Sequence, residues 1–110
     1  MLATSDVRIE SDLLGTVPIP ADAYYGIQSH RAIENFQLSN VTASHYSNLI
    51  KALAMIKQAC AMANFKLGLL TPKKVAAITG ACLDIQQGHL DNQFKIDMLQ
   101  GGAGTSLNMN

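Results

Sequence analysis

Charge is scarce in this chain. Only 15% of its 110 residues are charged, against about 25% in ordinary soluble domains. A surface so poor in charge fits a chain partly hidden in a larger assembly. Eight basic and eight acidic residues cancel, and no run of Lys or Arg exists. The electrostatic footprint of a nucleic-acid binder is therefore missing. No apolar stretch approaches the roughly 18 residues of a membrane span. Met1-Leu2-Ala3-Thr4-Ser5-Asp6 lacks the charged start and apolar centre of a secretory leader. No membrane partner is expected, and the cytoplasm is the default location. Cysteine is rare too: Cys60 and Cys82 stand far apart without CxxC spacing. They read as small buried helix residues rather than a redox pair or metal ligands. His30, His45 and His89 stand at no ligand spacing to a cysteine or to one another and read as solvated. No metal site is expected.

Apolar residues make up 48% of the chain, enough for the core of one small domain. The chain reads as a single domain in three stretches: residues 1–20 extended, 21–99 a helical body, 100–110 a glycine-rich loop. Val7, Ile9 and Ser11 alternate with Arg8 and Glu10 at period 2. Leu13-Leu14-Gly15 reads as a turn, so Val7 to Asp12 is expected to pair with Thr16 to Ile19 in a small hairpin. Two strands alone are marginal in water, so the hairpin must pack on something.

Asp22 is placed to cap a first helix from Ala23 to about Phe36, with Tyr25, Ala32 and Phe36 on one face. Arg31 and Glu34 are at i,i+3 spacing and read as a surface pair of small worth, and Tyr24 and Tyr25 read as packing residues. Ser44 or Ser47 is placed to cap the main helix. Leu49, Leu53, Ile56, Cys60, Ala63 and Leu67 recur every three or four residues along it, and Gly68 closes it. Thr71-Pro72 restarts a helix, with Thr as N-cap and Pro at the first position. Val75, Ile78, Cys82 and Ile85 form its stripe, and Gly88 ends it. The last two helices are expected to form an antiparallel hairpin with both cysteines at the seam. Residues 89–99 follow as an irregular or extended segment, with Phe94, Ile96 and Met98 alternating against Lys95 and Asp97. The fold expected is mostly α, with a small N-terminal β-hairpin and three helices.

The densest chemistry lies in Gln100-Gly101-Gly102-Ala103-Gly104-Thr105-Ser106-Leu107-Asn108-Met109-Asn110. Glycines at 101, 102 and 104 let the backbone take positive φ. Two hydroxyls and two carboxamides follow directly. No Gly-Lys-Ser/Thr follows at P-loop spacing, and no βαβ context supports a dinucleotide fingerprint. Two readings stay open for Thr105 and Ser106: ligands of a carboxylate or phosphate at a helix start, or caps of that helix. No Ser-His-Asp set, Cys-His set or carboxylate pair can be argued elsewhere.

Three stretches carry a resemblance: Ile9-Glu10-Ser11-Asp12-Leu13-Leu14-Gly15, Ala21-Asp22-Ala23-Tyr24-Tyr25-Gly26-Ile27 and Arg31-Ala32-Ile33-Glu34-Asn35-Phe36. With Met55 to Asn64 and the loop from Gln100 to Asn110, they resemble the N-terminal domain of the aspartase/fumarase superfamily. Gly-Gly-Ala-Gly-Thr-Ser leans towards the aspartase branch, because class II fumarases typically carry Thr-Gly-Ser-Gly-Thr-Gln there. The resemblance implies three mostly helical domains and a homotetramer whose sites combine loops of three subunits. It implies reversible elimination of ammonia from L-aspartate to give fumarate. It implies no organic cofactor, with divalent metal activation in some members. Thr105 matches the family's substrate-binding threonine, and Ser106 and Asn108 match neighbouring positions. Gly101, Gly102 and Gly104 form the supporting loop. The family's base-bearing serine signature is not among these residues, so no catalytic residue is expected here and the chain alone is expected to be inactive. A fumarase domain and a non-catalytic helical interaction domain are the alternatives.

Overall fold

The computed structural model describes residues 6–110; the reading of Met1 to Ser5 as no leader lies outside the described residues. The order is β1 (Val7–Asp12), β2 (Gly15–Pro20), α1 (Ile27–Asn35), α2 (Ser47–Lys66), α3 (Pro72–Gln86) and α4 (Thr105–Met109), with 3-10 turns at Ala43–His45 and Asp91–Gln93. The chain divides into two compact units. One comprises the described residues up to Ala43 together with Gln93–Asn110, and the other Ser44–Asn92. No helix among the described residues is long and apolar enough to cross a membrane.

In the first unit, β1 and β2 pair antiparallel, with Arg8 opposite Ile19, Glu10 opposite Val17 and Asp12 opposite Gly15. The hairpin and its period-2 alternation are as expected. The face it turns inward is not the usual one, because Val7 and Ile9 are exposed while Arg8, Glu10 and Asp12 are half-buried. Side chains alternate across a strand, so the hydrogen-bonding demand of the α1 start decides which face goes inward. Arg8 Nη1 donates to the carbonyls of Ala23 (2.6 Å) and Pro20 (3.2 Å), and Nη2 to that of Tyr25 (2.5 Å). Its Nε donates to Glu10 Oε2 (2.7 Å), and Glu10 Oε1 accepts the N–H of Ile27 (3.0 Å).

This arrangement corrects the first helix. It begins at Ile27 rather than Ala23, and Asp22 does not cap it. A strand carboxylate satisfies the first orphan N–H, while the guanidinium fork holds residues 20–25 in a non-helical turn. Arg31 is also corrected. It grips Asp12 in a bidentate pair (2.8 and 2.9 Å) and leaves Glu34 to His30 Nε2 (3.2 Å). His30 is therefore half-buried rather than solvated. Tyr25 is buried, with Lys95 Nζ 5.8 Å from its ring centroid, but Tyr24 is exposed.

Ile19, Tyr25 and Ile27 form one small core. Ala32, Ala43 and Ile96 form another, against which Ile33, Phe36, Phe94, Met98 and Leu107 pack. Residues 89–99, expected to be irregular or extended, hold the Asp91–Gln93 turn and then an irregular stretch with a bridge between Thr42 and Asp97. Ala43 N–H donates to Ile96 C=O and Met98 N–H to Val41 C=O, each at 2.9 Å.

In the second unit, α2 and α3 pack as the expected hairpin. Thr71 Oγ1 accepts the Lys74 N–H (3.3 Å) and Pro72 takes the first position. Gly68 adopts φ 77°, letting Gly68 and Leu69 N–H reach back to the carbonyls of Phe65 and Asn64. That pattern closes a helix with a left-handed residue, and Gly88 repeats it after α3. The start of α2 differs from expectation, because Tyr46 rather than a serine occupies the N-cap.

The seam differs as well. Ile50, Ala54 and Ala61 are buried, while Ile56, Cys60 and Leu67 are exposed. Small side chains let helices approach closely: Ala54 and Ala61 share the buried face with Ile50, while of the expected stripe Leu49 and Leu53 are half-buried and the rest is exposed. Cys82 is buried as expected, and burial pushes its thiol pKa up, against the pull of Lys57. Cys60 is not buried.

Candidate functional site

The loop from Gln100 ends in α4, a single five-residue turn of helix. Only one of its three glycines takes a positive φ: Gly104, at the N-cap with φ 75°. A side chain there would be strained. Gly101 and Gly102 stand beside open space, so no contact among the described residues demands glycine at either.

The capping reading of Thr105 and Ser106 does not match the helix start. Residue 104 is the cap and contributes no side chain, so both hydroxyls lie inside the helix. Instead Gln100 Oε1 accepts the Leu107 N–H (2.9 Å), and its Nε2 donates to the Asp97 carbonyl (3.0 Å). Gly104 N–H closes the turn onto Gly101 C=O at 3.0 Å.

Thr105 and Asn108 are three residues apart, which places them on one face of the turn; both are exposed. Leu107 points the other way, into the Ile96 core. Ser106 is half-buried beside them. The predicted ligand residues are thus brought together, on a turn anchored by its apolar side. The far end of α4 is tied to α1, where the buried Ser29 donates from Oγ to the Met109 carbonyl (3.1 Å). Asn110 Nδ2 donates to the Gln93 carbonyl (3.2 Å), and Gln93 Oε1 accepts the Tyr24 N–H (3.0 Å).

The chain entering the loop is fixed by Asp97, which the alternation of residues 94–98 places outward. It is 3% exposed. Its Oδ2 accepts the N–H groups of Leu38 (3.0 Å) and Ser39 (2.9 Å), and its Oδ1 the Ser39 hydroxyl (2.7 Å) and Leu99 N–H (2.8 Å). The Ser39 hydroxyl and the backbone N–H groups hold this carboxyl far below the usual carboxylate range, outweighing burial. Asp97 also borders a cavity of about 240 Å³, lined by Ile33, Phe36, Asn40, Thr42 and Lys95. No periodicity signals such a residue, because three of these four hydrogen bonds come from Leu38 and Ser39, about sixty positions away. Gln100 carried a weak signal: a side chain with both donor and acceptor directly before a glycine run.

Among the described residues, no three His, Cys, Asp or Glu side chains converge to hold a metal ion.

With this geometry in view, known proteins place the chain. A family profile described as Lyase matches residues 15–110. The chain is 57% identical over 110 residues to an aspartate ammonia-lyase of Pseudomonas aeruginosa, covering all of this chain and 23% of that protein. It is 50% identical over 109 residues to the aspartate ammonia-lyase of Escherichia coli K12, covering 97% of this chain and 23% of that protein. The chain therefore spans about a quarter of the length of these relatives.

Among solved structures, a fumarate lyase:delta crystallin of Brucella melitensis superposes with TM-score 0.91 at 55% identity, over 94% of this chain and 23% of that one. A class II fumarase of Schistosoma mansoni superposes with TM-score 0.86 at 36% identity, over 94% and 22%. A mostly helical chain with an N-terminal hairpin, matched by the lyase profile over nearly its whole length, belongs to the lyase family of the aspartase/fumarase superfamily and corresponds to its N-terminal domain.

Proposed function

We propose that this chain is the N-terminal part of an aspartate ammonia-lyase and supplies one wall of its substrate site. The observation that carries the reading is α4, where Thr105, Ser106 and Asn108 sit together and, among the described residues, none makes a side-chain hydrogen bond. Two hydroxyl donors and a carboxamide on a fixed turn suit a substrate carboxylate, which gains negative charge as the Cβ proton leaves. Donors already aimed at that charge lower the barrier most, because they need no reorganisation during reaction. The proton acceptor, a serine by resemblance to the superfamily, would come from outside these residues. Ammonia would then leave the opposite side, giving fumarate.

L-aspartate is favoured over malate as substrate because the relatives at 50–57% identity carry that activity in their names, whereas the class II fumarase is 36% identical. A cytoplasmic homotetramer is the assembly that fits this reading. Met55, Ile56, Met62 and Phe65, exposed along α2, offer apolar surface for it. Thr105→Ala in the whole lyase tests the reading. KM for L-aspartate should rise about tenfold or more, the worth of one hydrogen bond to a charged group, at an unchanged melting temperature. Unaltered kinetics would remove Thr105 from the site.

A further inference from the structure

We propose that Gln100 is a positioning residue that sets the rotation of α4, and with it the aim of Thr105. The inference rests on the reading of Thr105 as a substrate ligand.

The side chain of Gln100 brackets the glycine loop at the start of α4, whereas the other side-chain bond that spans the loop, Asn110 Nδ2 to the Gln93 carbonyl, holds the far end of the turn. Gln100 joins the Asp97 carbonyl, before the loop, to the Leu107 N–H, inside the helix. One partner is a fixed acceptor and the other a fixed donor, so the orientation of the amide is determined, and only a side chain with both functions satisfies it. Asp97 is itself immobilised by four hydrogen bonds to residues 38, 39 and 99. A continuous hydrogen-bonded line therefore runs from the 38–39 backbone through Asp97 and Gln100 to the turn that bears Thr105.

Without the bracket, the first turn of α4 would be held to the incoming chain only through Gly101 and Gly102, where no neighbouring atom stands within 4 Å of a Cβ position. The Met109–Ser29 contact and Leu107 packing would still hold the turn to the core. Losing Gln100 should thus misaim α4 without unfolding the chain.

Gln100→Met keeps the length and removes both hydrogen-bonding functions, while Gln100→Glu keeps the acceptor for Leu107 and loses the donor to Asp97. In the 110-residue chain, amide exchange at Leu107 should speed up about tenfold or more in Gln100→Met, with exchange at Ile19 unchanged. In the whole lyase, Gln100→Met should raise KM for L-aspartate at least fivefold with the melting temperature unchanged. Gln100→Glu should recover part of the Leu107 protection. A Leu107 amide equally protected in Gln100→Met overturns the bracket. Faster Leu107 exchange with an unmoved KM, where Thr105→Ala does raise KM, overturns the positioning role and leaves the lyase reading standing. If Thr105→Ala also leaves KM unmoved, the substrate-site reading fails and takes this inference with it.

Discussion

Ile96→Ala is the sharpest perturbation of the core that carries the candidate site. Ile96 is 1% exposed and lies among Ala32, Ala43, Phe36, Phe94, Met98 and Leu107. The substitution removes three carbon groups, at about 0.8 kcal/mol each for lost burial. The cavity left behind adds to this, and large-to-Ala changes at such sites cost about 2–5 kcal/mol. A neighbourhood built partly of alanines has little bulk with which to collapse, so about 3–4 kcal/mol is expected.

For a chain of this size each kcal/mol moves the melting temperature by roughly 4–8 °C, so a fall of more than about 10 °C should appear in a thermal scan followed by circular dichroism. Ile9→Ala is the control within the same unit: Ile9 is 63% exposed, and its loss should cost at most about 1 kcal/mol, the span of strand preferences. Because Leu107 packs on the same cluster, Ile96→Ala should also loosen the Leu107 amide in hydrogen exchange, whereas Ile9→Ala should not. Equal losses from the two substitutions would refute the assignment of the inward face of the hairpin and the role of Ile96 as the support of α4.

Acid should weaken the first unit. Glu10 is held below its ordinary pKa chiefly by the Arg8 guanidinium and then by the Ile27 N–H. Asp12 is lowered chiefly by Arg31, and Asp97 chiefly by Ser39. Groups with depressed folded pKa values bind fewer protons folded than unfolded. Their contribution is therefore complete above the unfolded values of about 3.9–4.3 and lost as pH falls through the folded ones. The melting temperature should hold from about pH 7 to 5 and fall below about pH 4; a midpoint that stays level to pH 3 would count against the network. Thr71→Ala should cost α3 about 1 kcal/mol in urea unfolding, and no change would mean that its 3.3 Å contact with Lys74 N–H is idle. The 110-residue chain incubated with L-aspartate should give no rise in fumarate absorbance, and sustained turnover by pure chain would refute the need for a base from elsewhere.

Sequence alone determined the elements whose causes are local. The Thr71-Pro72 start, the Gly68 and Gly88 stops and the two-strand hairpin follow from short-range steric and capping rules, and the structure places them where those rules do. The grouping of Thr105, Ser106 and Asn108 was also legible, since a glycine followed by polar residues at helical spacing can hardly arrange them otherwise. Tertiary structure decided what depended on distant partners. The start of α1 moved from Ala23 to Ile27 because a carboxylate on β1 took the cap and a guanidinium on β1 took the preceding carbonyls. Asp97 went inward because backbone donors about sixty residues earlier converge on it, and Arg31 chose Asp12 over its helical neighbour for a bidentate geometry that Glu34 does not receive. Hydrophobic periodicity ranks residues by apolarity and spacing. It carries no information about which buried polar group will find a partner, and in this chain those pairings set the start of α1 and the course of the chain into the candidate site.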